Sequence, residues 1–128
     1  MASIFTKIVN GEIPCHKVWE DDDHLAFLDI RPMAKGHTLI VPKKEVDYLF
    51  DMSEDEIAAL FKAARKVAKR LKKKTDCARV CIGAWGYEVP HAHVHLVPTN
   101  FMADFPPPPG AQEGDHDELA ALASKLAF

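Results

Sequence analysis

The most chemically suggestive residues lie in one short run, His91-Ala92-His93-Val94-His95, in which histidine alternates with apolar residues. Successive side chains of a β-strand point to opposite faces, so this spacing predicts three imidazoles on one face of a sheet and apolar groups on the other. Neighbouring imidazoles would then be about 6.6 Å apart along the strand. Unpaired ring nitrogens are costly to bury, so core packing alone does not account for the row.

Three kinds of site could use such a row. His-x-His on a strand can present two nitrogens to zinc, although the usual cysteine pairs are missing from this sequence. A purely structural role suits one histidine better than three in register. Phosphate chemistry suits all three, because a neutral imidazole is a nucleophile and a charged neighbour can stabilise the developing charge. A histidine pKa of about 6.5 predicts a mixture of neutral and charged rings, and we favour this third interpretation.

The composition indicates what class of protein carries these histidines and in which compartment it is expected. The chain has 128 residues, of which 48% are hydrophobic and 27% charged, as is typical of a single soluble globular domain. Its formal net charge of −3 gives no bias towards polyanions, so nucleic acid is not an expected partner. Three cysteines without a CxxC pair favour a reducing compartment. Neither a signal-peptide pattern nor an apolar run of about 20 residues is present, and we expect a cytoplasmic protein with no membrane partner.

One long helix and several strands must position the histidines. A capping box at Ser53 and Glu56 begins an amphipathic helix whose apolar residues continue to Leu71 at helical spacing. Its many basic residues are expected to form a solvated face. Strands are predicted at residues 15–19, 25–30, 37–41, about 78–84 and 93–97, with an acidic turn joining the first two as a hairpin. These elements predict an antiparallel α+β domain.

The histidine row, taken with five upstream blocks, resembles the histidine triad (HIT) family of nucleotide hydrolases and transferases. The blocks are residues 4–8, 11–14, 20–22, 27–32 and 36–42, which look like the family's N-terminal half in order and at similar spacing. The match covers about residues 3 to 98. Agreement of several blocks is more specific than any one of them. The resemblance implies a five-stranded antiparallel sheet with one long packed helix, and two protomers joined as a homodimer.

A two-step reaction at the α-phosphorus of a nucleotide also follows from the resemblance. His93 would attack the phosphorus and form a nucleotidyl-imidazole intermediate, from which water releases the nucleoside monophosphate. His91 would orient His93 through its main-chain carbonyl. His95 and His37 would hold the phosphate oxygens. This chemistry needs no metal or other cofactor for the nucleophile.

The same resemblance implies how a purine nucleotide or nucleotide conjugate would bind. Asp29 would accept hydrogen bonds from the ribose hydroxyls. Apolar residues would wall the base pocket, namely Ile4, Phe5, Ile8, Phe27 and Ile30. Leu39, which shares a strand face with His37, is a further candidate contact. Without the resemblance, these apolar residues could equally be plain core.

Several positions depart from the family's pattern. Glu88 stands where many members carry a Ser or Thr that contacts the phosphate or the leaving group. A carboxylate there would repel a phosphate unless it is protonated, paired or turned away. Glu88 therefore either points outward or marks an altered leaving-group preference. Ser3 and Thr6 stand where some bacterial members hold zinc with two cysteines, so that zinc site is expected to be absent.

The predicted activity is hydrolysis of nucleoside 5′-phosphoramidates or related nucleotide conjugates, with cleavage of a phosphorus–nitrogen or phosphoanhydride bond. Dinucleoside polyphosphate hydrolysis is an alternative, although Tyr87 replaces the Gln of some polyphosphate-cleaving branches. A nucleotide-binding regulatory module with weak catalysis is another, for which Glu88 is the best support. A zinc-binding module is a further possibility.

The domain organisation predicted from the sequence is simple. Residues 1–100 are expected to form the HIT-like catalytic domain. Residues 101–128 are expected to belong to the same domain or to a dimer. Within them, the prolines at 106–109 predict an extended connector, because proline fits neither a helix interior nor a central strand. Asp117 would cap a short helix with three leucines on one face: Leu119, Leu122 and Leu126.

Overall fold

The computed structural model describes residues 2–105 and 112–128. The chain folds into helices α1 (Ile4–Val9), α2 (Glu54–Thr75) and α3 (His116–Leu126) and strands β1 (Lys17–Glu20), β2 (His24–Leu28), β3 (Thr38–Pro42), β4 (Arg79–Gly83) and β5 (Val94–Thr99). Short 3-10 turns cover Leu49–Asp51 and Met102–Asp104.

The five strands form one antiparallel sheet in the order β1-β2-β3-β5-β4. The central strands β3 and β5 pair so that Leu39 lies opposite His95 and Ile40 lies opposite Val94. This register carries the last histidine of the row to the middle of the sheet. The predicted α+β fold, with a five-stranded antiparallel sheet and one long packed helix, is therefore confirmed.

Helix α2 packs against one face of this sheet. Ser53 and Glu56 form the predicted capping box, and the helix ends at Asp76, whose φ of 57° is left-handed. Its apolar stripe packs on every second residue of the central strands, because strand side chains alternate between faces. The core on this face includes Leu60, Ala64, Val67, Ile40, Val94 and Leu96.

The opposite face of the sheet has its own apolar core, which is closed by helix α1. Phe5 of α1 packs with four strand residues: Leu25, Phe27, Leu39 and Val41. Ser3 caps α1 by accepting a hydrogen bond from the Thr6 backbone N–H. The sequence pattern did not predict this helix, because six residues are too few to show a helical apolar period.

The boundaries of several predicted elements are wrong by one or two residues. Strand β2 ends at Leu28, so Asp29 and Ile30 lie beyond it, and β3 continues one residue past its predicted end, to Pro42. Strand β5 begins only at Val94. Asp115 caps α3 in place of Asp117. The prolines at 106–109, predicted as a connector, lie outside the described residues.

The turn before His37 gives a testable prediction about the fold. Gly36 has a φ of +92°, and a Cβ there would lie 3.2 Å from Pro98 Cγ and 3.2 Å from Thr75 Cγ2. Gly11 has a φ of +80° but no atom within 4 Å of its Cβ position. Both Gly→Ala changes should cost about 1–2 kcal/mol from backbone strain, and Gly36→Ala about 1 kcal/mol more from crowding.

Urea denaturation of the two variants measures this difference, with Gly11→Ala as the matched control for backbone strain. Equal losses in the free energy of unfolding would show that the space around Gly36 adjusts without cost.

Candidate active site

The three histidines of the row occupy the end of a loop and the start of β5. His91 and His93 precede β5 and only His95 lies within it, so the strand predicted at residues 93–97 begins one residue later and the row does not lie within one strand. The alternation nevertheless persists, because Ala92 and Val94 point into the α2-side core. The ring centroids of His93 and His95 are 5.0 Å apart, and Phe5 contacts the His93 ring edge-on at 4.8 Å.

His93 is held in one tautomer by the backbone. Its Nδ1 lies 2.7 Å from the His91 carbonyl oxygen. A carbonyl can only accept a hydrogen bond, so Nδ1 must carry the proton. In the neutral ring the other nitrogen, Nε2, then has a free lone pair, which is the form required of a nucleophile.

His91 is fully buried and clamped at both ring nitrogens. Its Nε2 donates to the Pro42 carbonyl oxygen at 2.7 Å, and its Nδ1 accepts from the Ser3 hydroxyl at 2.8 Å. Burial lowers the pKa of His91, although the Pro42 carbonyl opposes this effect. The neutral His91 ring, held at both nitrogens, fixes the direction of the His91 carbonyl, which accepts the hydrogen bond from the His93 Nδ1–H.

A hydrogen-bonded network extends from His91 to helix α1 through Glu45. The Glu45 carboxylate accepts from the Thr6 hydroxyl and from the Ser3 backbone N–H, each at 2.6 Å. Hydrogen bonds from Thr6 and Ser3 lower the pKa of Glu45 to about 2. Ser3 and Thr6, the positions compared with zinc-binding cysteines, are thus engaged with one another and with Glu45. Glu45 could not be predicted from local patterns, because its partners lie about forty residues away in the sequence.

His37 and His95 form a second fixed pair. The Met33 backbone N–H donates to His37 Nδ1 at 3.0 Å, so the proton of a neutral His37 is on Nε2. That Nε2 lies 2.9 Å from His95 Nδ1 and donates to it. The proton of His95 must therefore be on its own Nε2. This buried N–H has no hydrogen-bond partner among residues 2–105 and 112–128.

Both rings of this pair are neutral near pH 7. Burial lowers the pKa of His95 to about 4, and the neighbouring His93 and His37 add to the effect. Burial also lowers the pKa of His37, against the opposing charge of Asp29. The expected mixture of charged and neutral rings is therefore not supported at His37, His91 or His95. What the free protein presents instead is a neutral N–H donor on His95.

Asp29 lies next to this pair at the end of β2. Its Oδ1 accepts from the Arg31 backbone N–H at 2.8 Å, and its Oδ2 is 3.6 Å from His37 Nε2. Ligand atoms of Asp29, His37 and His95 lie within 4.8 Å of one another, close enough to bind a metal ion. A cation would have to displace the proton of His37 Nε2 onto Nδ1, which would then face the Met33 N–H. The donor set is therefore a poor fit for a metal.

The apolar candidates divide into core and surface. Phe5, Phe27 and Leu39 are buried in the α1-side core, with Phe5 and Phe27 in edge contact at 5.6 Å. Ile8 is partly buried against the same core. By contrast, Ile4 is half exposed and Ile30 is 82% exposed. Phe5 contacts the rings of both His91 and His93 edge-on.

The loop before the triad contains three residues that differ in their contacts with it: Trp85, Tyr87 and Glu88. Glu88 is exposed and makes no hydrogen bond or ion pair within the described parts of the chain. Tyr87 is 94% exposed. Trp85, which the sequence did not single out, stacks on the His95 ring with centroids 3.7 Å apart and planes at 13°. Only the fold brings this indole to the triad, across nine residues of intervening loop and strand start.

Comparison with known proteins agrees with this arrangement. The HIT domain family model matches residues 10–102. The chain therefore belongs to the histidine triad family. No helix in residues 2–105 or 112–128 is long and apolar enough to cross a membrane.

Individual relatives are similar over most of the chain. An uncharacterised HIT-like protein of Methanocaldococcus jannaschii is 44% identical over 103 residues, which are 74% of this chain and 77% of that protein. An adenosine 5′-monophosphoramidase of Saccharomyces cerevisiae is 36% identical over 98% of this chain and 80% of its own. A crystal structure from Streptococcus mutans superposes with a TM-score of 0.84 at 42% identity, covering 96% of this chain and 82% of that one.

The low pKa of His95 predicts an acid-sensitive fold. An unfolded His95 binds its proton below about pH 6.5, whereas the folded one does so only near pH 4, so the free energy of unfolding must fall as the pH drops through this window. The change amounts to about 3 kcal/mol for this ring. His95→Asn should flatten the pH dependence by that amount, whereas His16→Asn, at an exposed histidine, should leave it unchanged.

Urea denaturation at about pH 7 and at about pH 4.5 gives, for each protein, the change in the free energy of unfolding between the two pH values. Comparing these changes removes any loss that is the same at both pH values, such as that of the missing His37 hydrogen bond. An equal change in His95→Asn and the wild type would mean that His95 is not held neutral by burial.

The Glu45 network predicts that one carboxylate holds α1 in place. Glu45→Ala removes the acceptor of both the Ser3 N–H and the Thr6 hydroxyl. Amide hydrogen exchange in residues 3–9 should accelerate by about tenfold or more, while exchange in α2 stays unchanged. Glu12→Ala, at an exposed acidic residue, is the control. Equal protection of α1 in both variants would show that the helix is held by Phe5 packing alone.

Proposed function

We propose that this protein is a nucleotide hydrolase that cleaves nucleoside 5′-phosphoramidates or related nucleotide conjugates at the α-phosphorus. The observation that carries the proposal is the 2.7 Å hydrogen bond from His93 Nδ1 to the His91 carbonyl, which leaves Nε2 free to attack. Membership of the histidine triad family supports it, as does the 36% identity to an adenosine 5′-monophosphoramidase.

In the first step, His93 Nε2 forms a bond to phosphorus while the phosphorus–nitrogen bond to the amine breaks. The amine takes a proton from solvent as it leaves. The imidazole of His93 becomes positively charged in the nucleotidyl intermediate, and the His91 carbonyl stabilises this charge through the Nδ1–H. In the second step, water attacks the phosphorus, gives its proton to solvent and releases the nucleoside monophosphate, which restores the lone pair on His93.

His95 is suited to holding the phosphoryl oxygens, and His37 supports it as a positioning residue, since both nitrogens of His37 are already engaged by the Met33 N–H and by His95. The buried Nε2–H of His95 is without a partner among the described residues, and His37 fixes it as a donor by occupying Nδ1. A donor that is fixed before the substrate arrives costs no reorganisation when negative charge develops. A bound phosphoryl group would also raise the pKa of His95, since an opposite charge favours the protonated ring.

The nucleoside would lie between Asp29 and the α1 side of the triad. Asp29 offers its carboxylate to the ribose hydroxyls, and a purine base would lie against the exposed Ile4 and Ile30 above Phe5 and Phe27. Ile8 and Leu39 would support this wall from within the core. Glu88 is exposed, which favours the alternative in which its carboxylate points away from the phosphate.

The setting of the enzyme is part of the same proposal. We infer a homodimer from the family, with residues 1–100 as the catalytic domain and residues 101–128 belonging to that domain or to the dimer. All three cysteines are free thiols, which suits the reducing cytoplasm.

The proposal predicts a covalent adduct on His93. Enzyme quenched during turnover of adenosine 5′-phosphoramidate should carry one nucleotidyl group, which tandem mass spectrometry locates on His93. His93→Ala should lose the adduct and at least about a thousandfold in kcat, because it removes the nucleophile itself. His16→Ala, which changes an exposed histidine, should behave like the wild type.

Two results would contradict the mechanism. Full turnover by His93→Ala would show that His93 is not the nucleophile. Tight binding of the monophosphate by a wild-type protein that forms no adduct would indicate the regulatory binding module instead.

A further inference from the structure

A cavity of about 280 Å³ adjoins the triad beside His93. It is lined by Ala92 and His93, by the segment around the 3-10 turn Leu49–Asp51 and by the loop before the triad. The walls are rich in aromatic side chains, namely Tyr48, Phe50, Trp85 and Tyr87. Its volume is just below the usual range of ligand pockets, roughly 300–1,000 Å³, so it suits part of a substrate rather than a whole nucleotide.

This cavity is distinct from the proposed nucleoside-binding surface, which lies between Asp29 and the α1 side of the triad. His93 is the one residue that lines the cavity and also belongs to the candidate catalytic and nucleotide-binding residues. The phosphorus must lie against His93 Nε2 for attack, and the nucleoside extends from it towards Asp29 and α1. The non-bridging oxygens are directed to the Nε2–H of His95, so the substituent that remains to extend into the cavity is the leaving group.

The aromatic walls are ordered by their own contacts. The rings of Tyr48 and Phe50 meet edge-on at 5.7 Å and 81°. Trp85 is fixed by its stack on His95, and a Cβ on Gly83 would come within 3.0 Å of the indole. Phe50 is nevertheless 70% exposed and Tyr48 57% exposed. Exposed aromatic rings beside a reactive group bind a ligand more tightly when the ligand's own ring covers them, by about two- to tenfold in affinity per aromatic pair beyond the effect of the buried area.

We propose that this cavity is a leaving-group subsite selective for amines that carry an aromatic ring. The inference rests on the proposed function and narrows its substrate class to nucleoside 5′-phosphoramidates of aromatic amines. The bond that breaks is the phosphorus–nitrogen bond already described, and the amine leaves with a proton from solvent. Asp47 also lines the cavity, but it is a single exposed carboxylate, so water screens its attraction for a cationic amine.

The test compares adenosine 5′-phosphoramidates that differ only in the substituent on nitrogen. The wild type should cleave the N-benzyl compound with a kcat/KM about tenfold above that of the N-methyl compound, and above that of the cationic N-(2-aminoethyl) compound. Phe50→Ala and Tyr48→Ala should each lower the benzyl-to-methyl ratio about fivefold. Phe101→Ala, at an aromatic residue that is 75% exposed outside this cavity, should leave the ratio unchanged.

Three results would overturn the inference. These are a benzyl-to-methyl ratio near one, a ratio that Phe50→Ala and Tyr48→Ala do not change, and a preference for the cationic compound. Analytical ultracentrifugation of the same variants adds a fourth. If they shift the monomer–dimer equilibrium and slow all three substrates equally, the cavity is part of a subunit interface.

A binding measurement separates failure of the subsite from failure of the proposed function. Trp19→Phe leaves Trp85 as the one tryptophan, so its fluorescence reports on the cavity. If the wild type cleaves none of the compounds, the hydrolase proposal fails. A tighter fluorescence titration for the N-benzyl compound than for the N-methyl compound, lost in Phe50→Ala, would still support the subsite. Equal affinities would overturn it.

Discussion

The hydrogen bond from His93 Nδ1 to the His91 carbonyl is the interaction on which the chemistry of this site depends. It decides which nitrogen of His93 has the lone pair, and it does so without a charged partner. The direction of that carbonyl is fixed in turn because the His91 ring is held at both nitrogens, by Pro42 and by Ser3. A short chain of neutral hydrogen bonds thus replaces the carboxylate that orients histidine in many hydrolases.

The two-sided core makes this arrangement possible. The residues between the histidines anchor the segment to the α2-side core, so the imidazoles must face α1. Burial on that side keeps His37, His91 and His95 neutral. The site therefore stabilises negative charge with oriented N–H groups, whose strength depends on geometry more than on pH.

Much of the fold could be predicted from local patterns. The capping box at Ser53, the apolar stripe of α2 and the alternation of the histidine row each depend on residues close together in the sequence. The start of β5 could be predicted to within one residue, but the alternation could not show that the row leaves the sheet before it, where the Ala92 N–H donates to the Val46 carbonyl at 2.6 Å rather than to a neighbouring strand. That partner belongs to a loop whose path is set by the whole fold.

The candidate site also combines features that the sequence predicts with features that depend on contacts between distant segments. Residue types and the family resemblance pointed to the four histidines and Asp29, and the structure brings them together. The Trp85 stack and the Glu45 network went unpredicted, because each joins segments whose proximity no local period encodes. Ile30 illustrates the converse, since its apolar character in the sequence says nothing of its exposure beyond the end of β2.

Ser3 has three partners at once, since its hydroxyl caps α1 and also donates to the His91 ring, while its backbone N–H donates to Glu45. Replacing one member alone leaves another without its partner inside a packed region. Ser3, Thr6 and Glu45 should therefore be inherited as a linked group, and a lineage that loses one of them is expected to have changed the other two.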